Sequence, residues 1–307
     1  MENLNGLNHQ QIIQKFPLSH SAYQKMNTCG LAYDLYYNKR LENRYTSGAI
    51  LSGKVFDGVF NAYLYSMWEQ NNINIAVEFE KLWHKYYLSV ERESNQDDKS
   101  IYDTLKYICN LIPASVAASG IVPYATIDGT PCIQHSHVFD IGHGVKVRTI
   151  IDLIGYSKHL KKPVIIDVKA TKVMADTDFV SISEQLLIYS LSAENDPRLK
   201  DTSFELGAYW QGERKTMPAL KKDLTLRKGS SYPKIILPES EKFNTFHKQQ
   251  MPQRYIQTQM DINQKRFFGG SRMAYNSPCK LCDYSQLCIR GDVTGLVKRE
   301  TYVRKTA

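Results

Sequence analysis

The chain has no apolar run approaching the ~18 residues a helix needs to cross a bilayer, which argues against a membrane span. Residues Met1 to Gln14 are polar and lack the apolar core of a secretory signal. The expectation is a cytoplasmic protein (in the host cytoplasm if phage-encoded) whose thiols stay reduced. No GxxxxGK[ST] or GxGxxG element stands at a strand–helix switch, so ATP or dinucleotide use is not indicated. Helicase activity would have to come from a partner. There is no internal repeat and no linker long enough to force a division, so one domain over residues 1–307 is expected. Cysteine is scarce, with six residues: Cys29, Cys109, Cys132, Cys279, Cys282 and Cys288.

What is present is ordinary for a soluble protein: 42% hydrophobic and 23% charged residues, in a chain long enough for a full core. The net charge of +8 and pI near 9.0 favour an anionic partner, nucleic acid above all. From Glu241 to Ala307 twelve Lys or Arg face five acids, interleaved with Tyr255, Phe267, Phe268, Tyr275 and Tyr284. That pattern suits phosphate attraction with base stacking, and equally a solvated basic face. Lys215 to Lys234 invites the same two readings.

Apolar spacing predicts helices over Pro17–Tyr37 (Ser19 or Ser21 capping), Gly48–Gln70, most of 72–118, Val180–Leu191 and Ser240–Phe268. Val, Ile, Phe and Thr predict strands near 121–127, 132–141, 145–154, Pro163–Ala170 and Phe204–Trp210, with a hairpin turn at Ile141–Gly144. The order implies an α/β or α+β fold. It divides into a helical part over 17–118 carrying Cys29 and Asp57, a sheet core over 121–212, and a helical and cysteine-bearing region over 240–307.

Three acids stand out. Asp57 interrupts the oily helix Gly48–Gln70, and Asp152 and Asp167 lie inside strongly apolar strands. A buried carboxylate must be paired, hydrogen-bonded or bound to metal. The plain alternative is that Asp152 or Asp167 ends its strand or pairs with Arg148 or Lys169. Asp167 and Lys169, two apart, share one face of a strand. With Asp152 on an antiparallel neighbour, two carboxylates and an ammonium share a site. Carboxylates, with the Val168 carbonyl, are hard oxygen donors suited to Mg²⁺ or Mn²⁺. Lys169 then orients or helps deprotonate a water and offsets transition-state charge. His135, His137 and His143 have zinc-like spacing in part, but ordinary surface or packing roles fit them better.

Cys279, Cys282 and Cys288 can wrap one metal centre, and CxxC pairs occur in zinc and iron–sulfur sites alike. Cys29 is the best fourth donor, because Cys109 and Cys132 sit in apolar surroundings suited to buried thiols.

The ordered series Gly53-x-x-x-Asp57, Ile151-Asp152, Asp167-Val168-Lys169 and Gln185-x-x-x-Tyr189 resembles the RecB-type PD-(D/E)XK nucleases. Within them it is most similar to the Cas4-like and AddB-like iron–sulfur nucleases, many of them phage-encoded. The resemblance spans Ser19 to Cys288. It implies a restriction-endonuclease-like core with a central mixed sheet and flanking helices. It makes Asp152 and Asp167 metal ligands, Lys169 the catalytic lysine, and Gln185 and Tyr189 flanking residues that contact DNA or steady the lysine. Asp57 stands where that group usually has histidine; it is taken as a ligand, although it could merely anchor its helix. Cys29, Cys279, Cys282 and Cys288 match the group's arrangement of one early and three late cysteines. This implies a structural [4Fe-4S] cluster stapling the N- and C-terminal parts, with zinc the runner-up. The implied activity is metal-dependent exonucleolytic hydrolysis of linear or single-stranded DNA, in recombination or repair, as a homo-oligomer or with a helicase or recombination partner. A non-catalytic nucleic-acid-binding or structural subunit with a degenerate site is the alternative.

Overall fold

Ser19 ends the short strand β1 (Leu18–Ser19) and caps helix α1 (His20–Thr28), its hydroxyl accepting the Ala22 N–H at 3.2 Å. The single helix predicted through Tyr37 is broken at Cys29, whose backbone is extended. Helix resumes as α2 (Gly30–Tyr33) and a π-helical turn, Asp34–Asn38. The computed structural model describes residue 14 and residues 16–92, 97–199, 203–270 and 277–299. Tyr275, among the aromatics noted above, lies outside the described residues, as do parts of both termini.

After β2 (Leu41–Asn43) the chain enters helix α3 (Gly48–Trp68), capped by the Ser47 hydroxyl on the Ile50 N–H. Helices α4 (Ile75–Leu88), α5 (Asp98–Asn110) and α6 (Ile112–Ser119) follow. Strands β3 (Ile121–Pro123), β4 (Ile133–Asp140), β5 (Lys146–Ser157) and β6 (Lys162–Thr171) come next. Then come the single turn α7 (Thr177–Val180), helix α8 (Glu184–Glu194) and strand β7 (Leu206–Glu213). Two short strands, β8 (Ile235–Ile236) and β9 (Glu241–Lys242), precede helix α9 (Thr245–Asn263). A 3₁₀ turn at Pro278–Leu281, helix α10 (Ser285–Arg290) and β10 (Leu296–Lys298) complete the described chain.

Residues group into two units, Tyr45–His137 with Ile150–Lys248, and Met1–Arg44 with Val138–Thr149 and Gln249–Ala307. In the larger unit the sheet is mixed. β5 pairs antiparallel with β6, β6 runs parallel to β7, and β8 and β9 pair antiparallel with β7. Val164, Ile165, Ile166 and Asp167 are all fully buried, which marks β6 as a central strand covered on both faces. Val55, Phe56, Val59 and Phe60 of α3 are also inaccessible, and Phe60 meets Trp210 of β7 edge-on at 4.8 Å. Gly212 permits this close approach, because a Cβ there would stand 2.8 Å from the Phe56 ring. The packing therefore fixes where α3 presents Asp57.

In the smaller unit β1 runs parallel to the start of β5, with Leu18 opposite Val147, and β10 pairs antiparallel with β2. Tyr23 stacks face to face on Tyr255 of α9 at 4.1 Å. No helix among the described residues is long and apolar enough to cross a membrane.

Candidate active site

The antiparallel ladder between β5 and β6 runs to Leu153 opposite Ile166 and ends there. One step further a side chain replaces the backbone rung: the Val168 N–H donates to Asp152 Oδ2 at 2.9 Å. The strand alternation then brings Asp167 and Lys169 to one face, as their spacing requires. Asp167 is fully buried; its Oδ1 accepts from Lys169 Nζ at 3.0 Å and from Gln185 Nε2 at 2.8 Å. Oδ2 lies 2.9 Å from the same ammonium yet receives no directed hydrogen bond. Gln185 Nε2 also donates to the Tyr189 hydroxyl at 2.9 Å, one turn along α8.

Asp57 enters from α3. Its Oδ1 accepts from Asn61 Nδ2 at 3.0 Å and from Gln134 Nε2 at 3.2 Å, and the same Gln134 nitrogen stands 3.2 Å from Asp152 Oδ1. All six side chains singled out from the sequence, Asp57, Asp152, Asp167, Lys169, Gln185 and Tyr189, thus join one hydrogen-bonded neighbourhood. Of Val168, the N–H is engaged with Asp152.

Electrostatics follow from burial. Desolvation, reinforced by the neighbouring Asp152 charge, pushes Asp57 up to about 7 against the opposing Asn61 hydrogen bond and Lys169 charge. Burial likewise raises Asp167 well above the usual carboxylate range, although Lys169 pulls the other way. Burial lowers Lys169, but the Asp167 carboxylate outweighs it and keeps the ammonium protonated. Tyr189 is pushed up by burial and by the two aspartates, so its hydroxyl stays a donor. The site therefore holds more carboxylate than its environment tolerates, and a hard cation would relieve that.

The residues fit such a cation: two hard carboxylates face one another across Gln134, and Asp167 has a buried oxygen lone pair unsatisfied. Among the described residues, no three His, Cys, Asp or Glu side chains converge on one metal-sized point. At the Asp57–Asp152 pair the third group is an amide.

The second constellation lies in the smaller unit. None of the six cysteines is joined in a disulfide. Cys29 Sγ accepts the Gly270 N–H at 3.2 Å, where a Cβ on residue 270 would meet the Thr28 carbonyl at 2.6 Å. Cys29 and Cys282 pack against one small cluster formed by Ala32, Leu35 and Tyr284. Burial raises the Cys282 thiol, and the nearby Cys29 and Cys288 raise it further. Cys279 lies in the 3₁₀ turn that Cys282 caps, the Cys282 N–H donating to the Cys279 carbonyl at 3.3 Å. Four soft donors thus share one unit, although among the described residues no three of them converge closely enough to hold a metal ion. Cys109 and Cys132 lie elsewhere, both fully buried; burial pushes Cys132 up to about 12.

Two of the three histidines are held by neighbouring groups, and His143 is exposed. His135 Nε2 is 2.7 Å from Asp196 Oδ2, and His137 Nδ1 is 3.1 Å from the Ser192 carbonyl. Sequence reasoning missed Gln134, Asn61 and the Asp196–Arg198 pair. The one available signal was that strand alternation, with Ile133 and His135 turned inward, sends Gln134 to the face opposite His135.

The family model of the PD-(D/E)XK nuclease superfamily matches residues 17–289, and the chain belongs to that superfamily. Comparison with curated proteins gives no match. Fifteen solved chains match in structure. One, titled "Crystal structure of SSO0001", is 11% identical, with 88% of this chain and 95% of that chain covered at a TM-score of 0.32.

Proposed function

We propose that the chain is a metal-dependent deoxyribonuclease, an exonuclease on linear or single-stranded DNA, of the Cas4-like and AddB-like iron–sulfur kind acting in recombination or repair. The observation that carries this reading is the juxtaposition of Asp152, Asp167 and Lys169 at the splayed end of β5 and β6. Asp57, Asp152 and Asp167 are the side chains that would hold Mg²⁺ or Mn²⁺, with the Val168 carbonyl. Such a cation, when bound, supplies Lewis acidity and lowers the pKa of water. Lys169 orients the attacking water and offsets charge on the phosphoryl oxygens. Gln185 holds Asp167 and Tyr189 in register, so the lysine keeps one partner and one direction. Aspartate at position 57 supplies an oxygen donor where that group has histidine, and the Asn61 hydrogen bond aims its carboxylate.

Cys29, Cys279, Cys282 and Cys288 would hold a [4Fe-4S] cluster with a structural role. Their gathering in one unit and the Gly270 N–H on Cys29 Sγ support this reading. A broad visible absorbance with about four irons per chain is expected after anaerobic purification; colourless, zinc-loaded protein would replace the cluster with zinc.

The activity test uses anaerobically purified protein with end-labelled linear and circular DNA plus Mg²⁺ or Mn²⁺, beside an Asp167→Ala/Lys169→Ala control. Metal-dependent loss of linear DNA that the control abolishes is the expected result. No cleavage of any strand type by cluster-loaded protein would leave a nucleic-acid-binding role.

A further inference from the structure

We infer that Gln134 is an oxygen ligand of the cation held by Asp57 and Asp152, reached by a half-turn of its carboxamide. This rests on the reading of those two aspartates as cation ligands.

The Gln134 nitrogen lies 3.2 Å from Asp57 Oδ1 and 3.2 Å from Asp152 Oδ1, touching both carboxylates at once. In an octahedral site with bonds of about 2.1 Å at right angles, neighbouring ligand oxygens stand about 3.0 Å apart. The amide end is therefore already at ligand spacing from both carboxylates. Nitrogen and oxygen of a carboxamide have almost the same size, so rotation about the last side-chain bond exchanges them without repacking. With no cation, an oxygen there would face two anionic oxygens and be repelled, so the amide presents its NH₂. With a cation between the carboxylates, the same position calls for a lone pair, and the oxygen turns in. Asn61 keeps its own hydrogen bond to Asp57 throughout, so the carboxylate stays aimed while Gln134 turns.

The backbone supports a selected side chain. Gln134 has φ +49°, in the left-handed region, inside a strand. For a residue with a Cβ this conformation is strained, and glycine would take it more cheaply. A strained non-glycine residue aimed at two carboxylates marks a side chain whose chemistry matters more than its backbone comfort.

The test is calorimetric titration of Mn²⁺ into the chelator-treated full chain as wild type, Gln134→Leu and Gln134→Glu, together with a crystal structure of the Mn²⁺-loaded wild type. Leucine is expected to weaken Mn²⁺ binding about tenfold or more, glutamate to keep or improve it, and the loaded crystal to show Oε1 within bonding distance of the ion. Wild-type affinity in the leucine variant, or an amide turned away from the bound ion, overturns the assignment. Should the leucine variant fail to fold, a glutamate variant as weak as Asp57→Ala overturns it equally. Wild-type protein that takes up no Mn²⁺ brings down the nuclease-site reading itself, and this assignment with it.

Discussion

Asp57 and Asp196 are both shielded from water, and their surroundings drive them in opposite directions. Burial and Asp152 raise Asp57 to about 7, so its ionisation costs the metal-free fold stability as pH rises from about 4 to about 7 and no further above that. Asp57→Asn should therefore melt higher than wild type in chelator at pH 8, on the order of 1–2 kcal/mol at this half-buried position. The two melting curves should converge at pH 4. A wild type more stable than the variant at pH 8 would contradict this. For Asp196, burial would raise the carboxyl, but the Arg198 and His135 hydrogen bonds outweigh it and hold it well below the usual range. Its stabilisation is fully present above pH ~4 and drains away as pH falls towards the depressed native value. Asp196→Asn should cost about 3 kcal/mol at pH 7 by denaturant unfolding, with the gap narrowing at pH 3. The site acids were legible in the sequence because an aspartate in an apolar strand violates a strong rule. Gln134 and Asn61 were not, since a lone amide in a strand or helix is common and its partners are set only by tertiary packing.

At the scale of elements, β6 was readable from its β-branched run, and the helix Gly48–Trp68 from its spacing. Boundaries set by distant partners were not. β5 extends to Ser157 because Gly155, Tyr156 and Ser157 find partners in both β3 and β6, separated in the chain. The helix expected from Val180 starts instead at Glu184, where Ser183 caps it through the Leu186 N–H and its hydroxyl also meets the Tyr209 hydroxyl at 2.6 Å. The break at Cys29 was equally hidden, since the Gly270 N–H that meets its sulfur lies far along the chain. The close approach of α3 to β7 makes its own prediction. In Gly212→Ala the new methyl meets Phe56 and Ile108, displacing the helix that carries Asp57. The expected cost is about 1–3 kcal/mol in melting experiments, with weakened Mn²⁺ uptake alongside it. Unchanged stability would mean that Phe56 can turn aside freely.

For the whole molecule, residues far apart in the chain share a unit. The four cysteines, spread from residue 29 to residue 288, fall in one unit, and the six site side chains fall in the other. A centre held by all four, as proposed, would close a loop of roughly 260 residues and remove several kcal/mol of chain entropy from the unfolded state. Cys282→Ser is accordingly expected to lose iron and several degrees of melting temperature, while DNA cleavage by the fraction that remains folded changes little. Full iron content with normal stability would remove Cys282 from the ligand set. The unfinished ladder of β5 and β6 has a practical side. The Val168 amide proton is bonded to a carboxylate oxygen rather than to a peptide carbonyl, so its NMR resonance should shift with the charge density on Asp152. It is a built-in reporter: one peak would register cation uptake or loss of Asp152, with no DNA, dye or label needed.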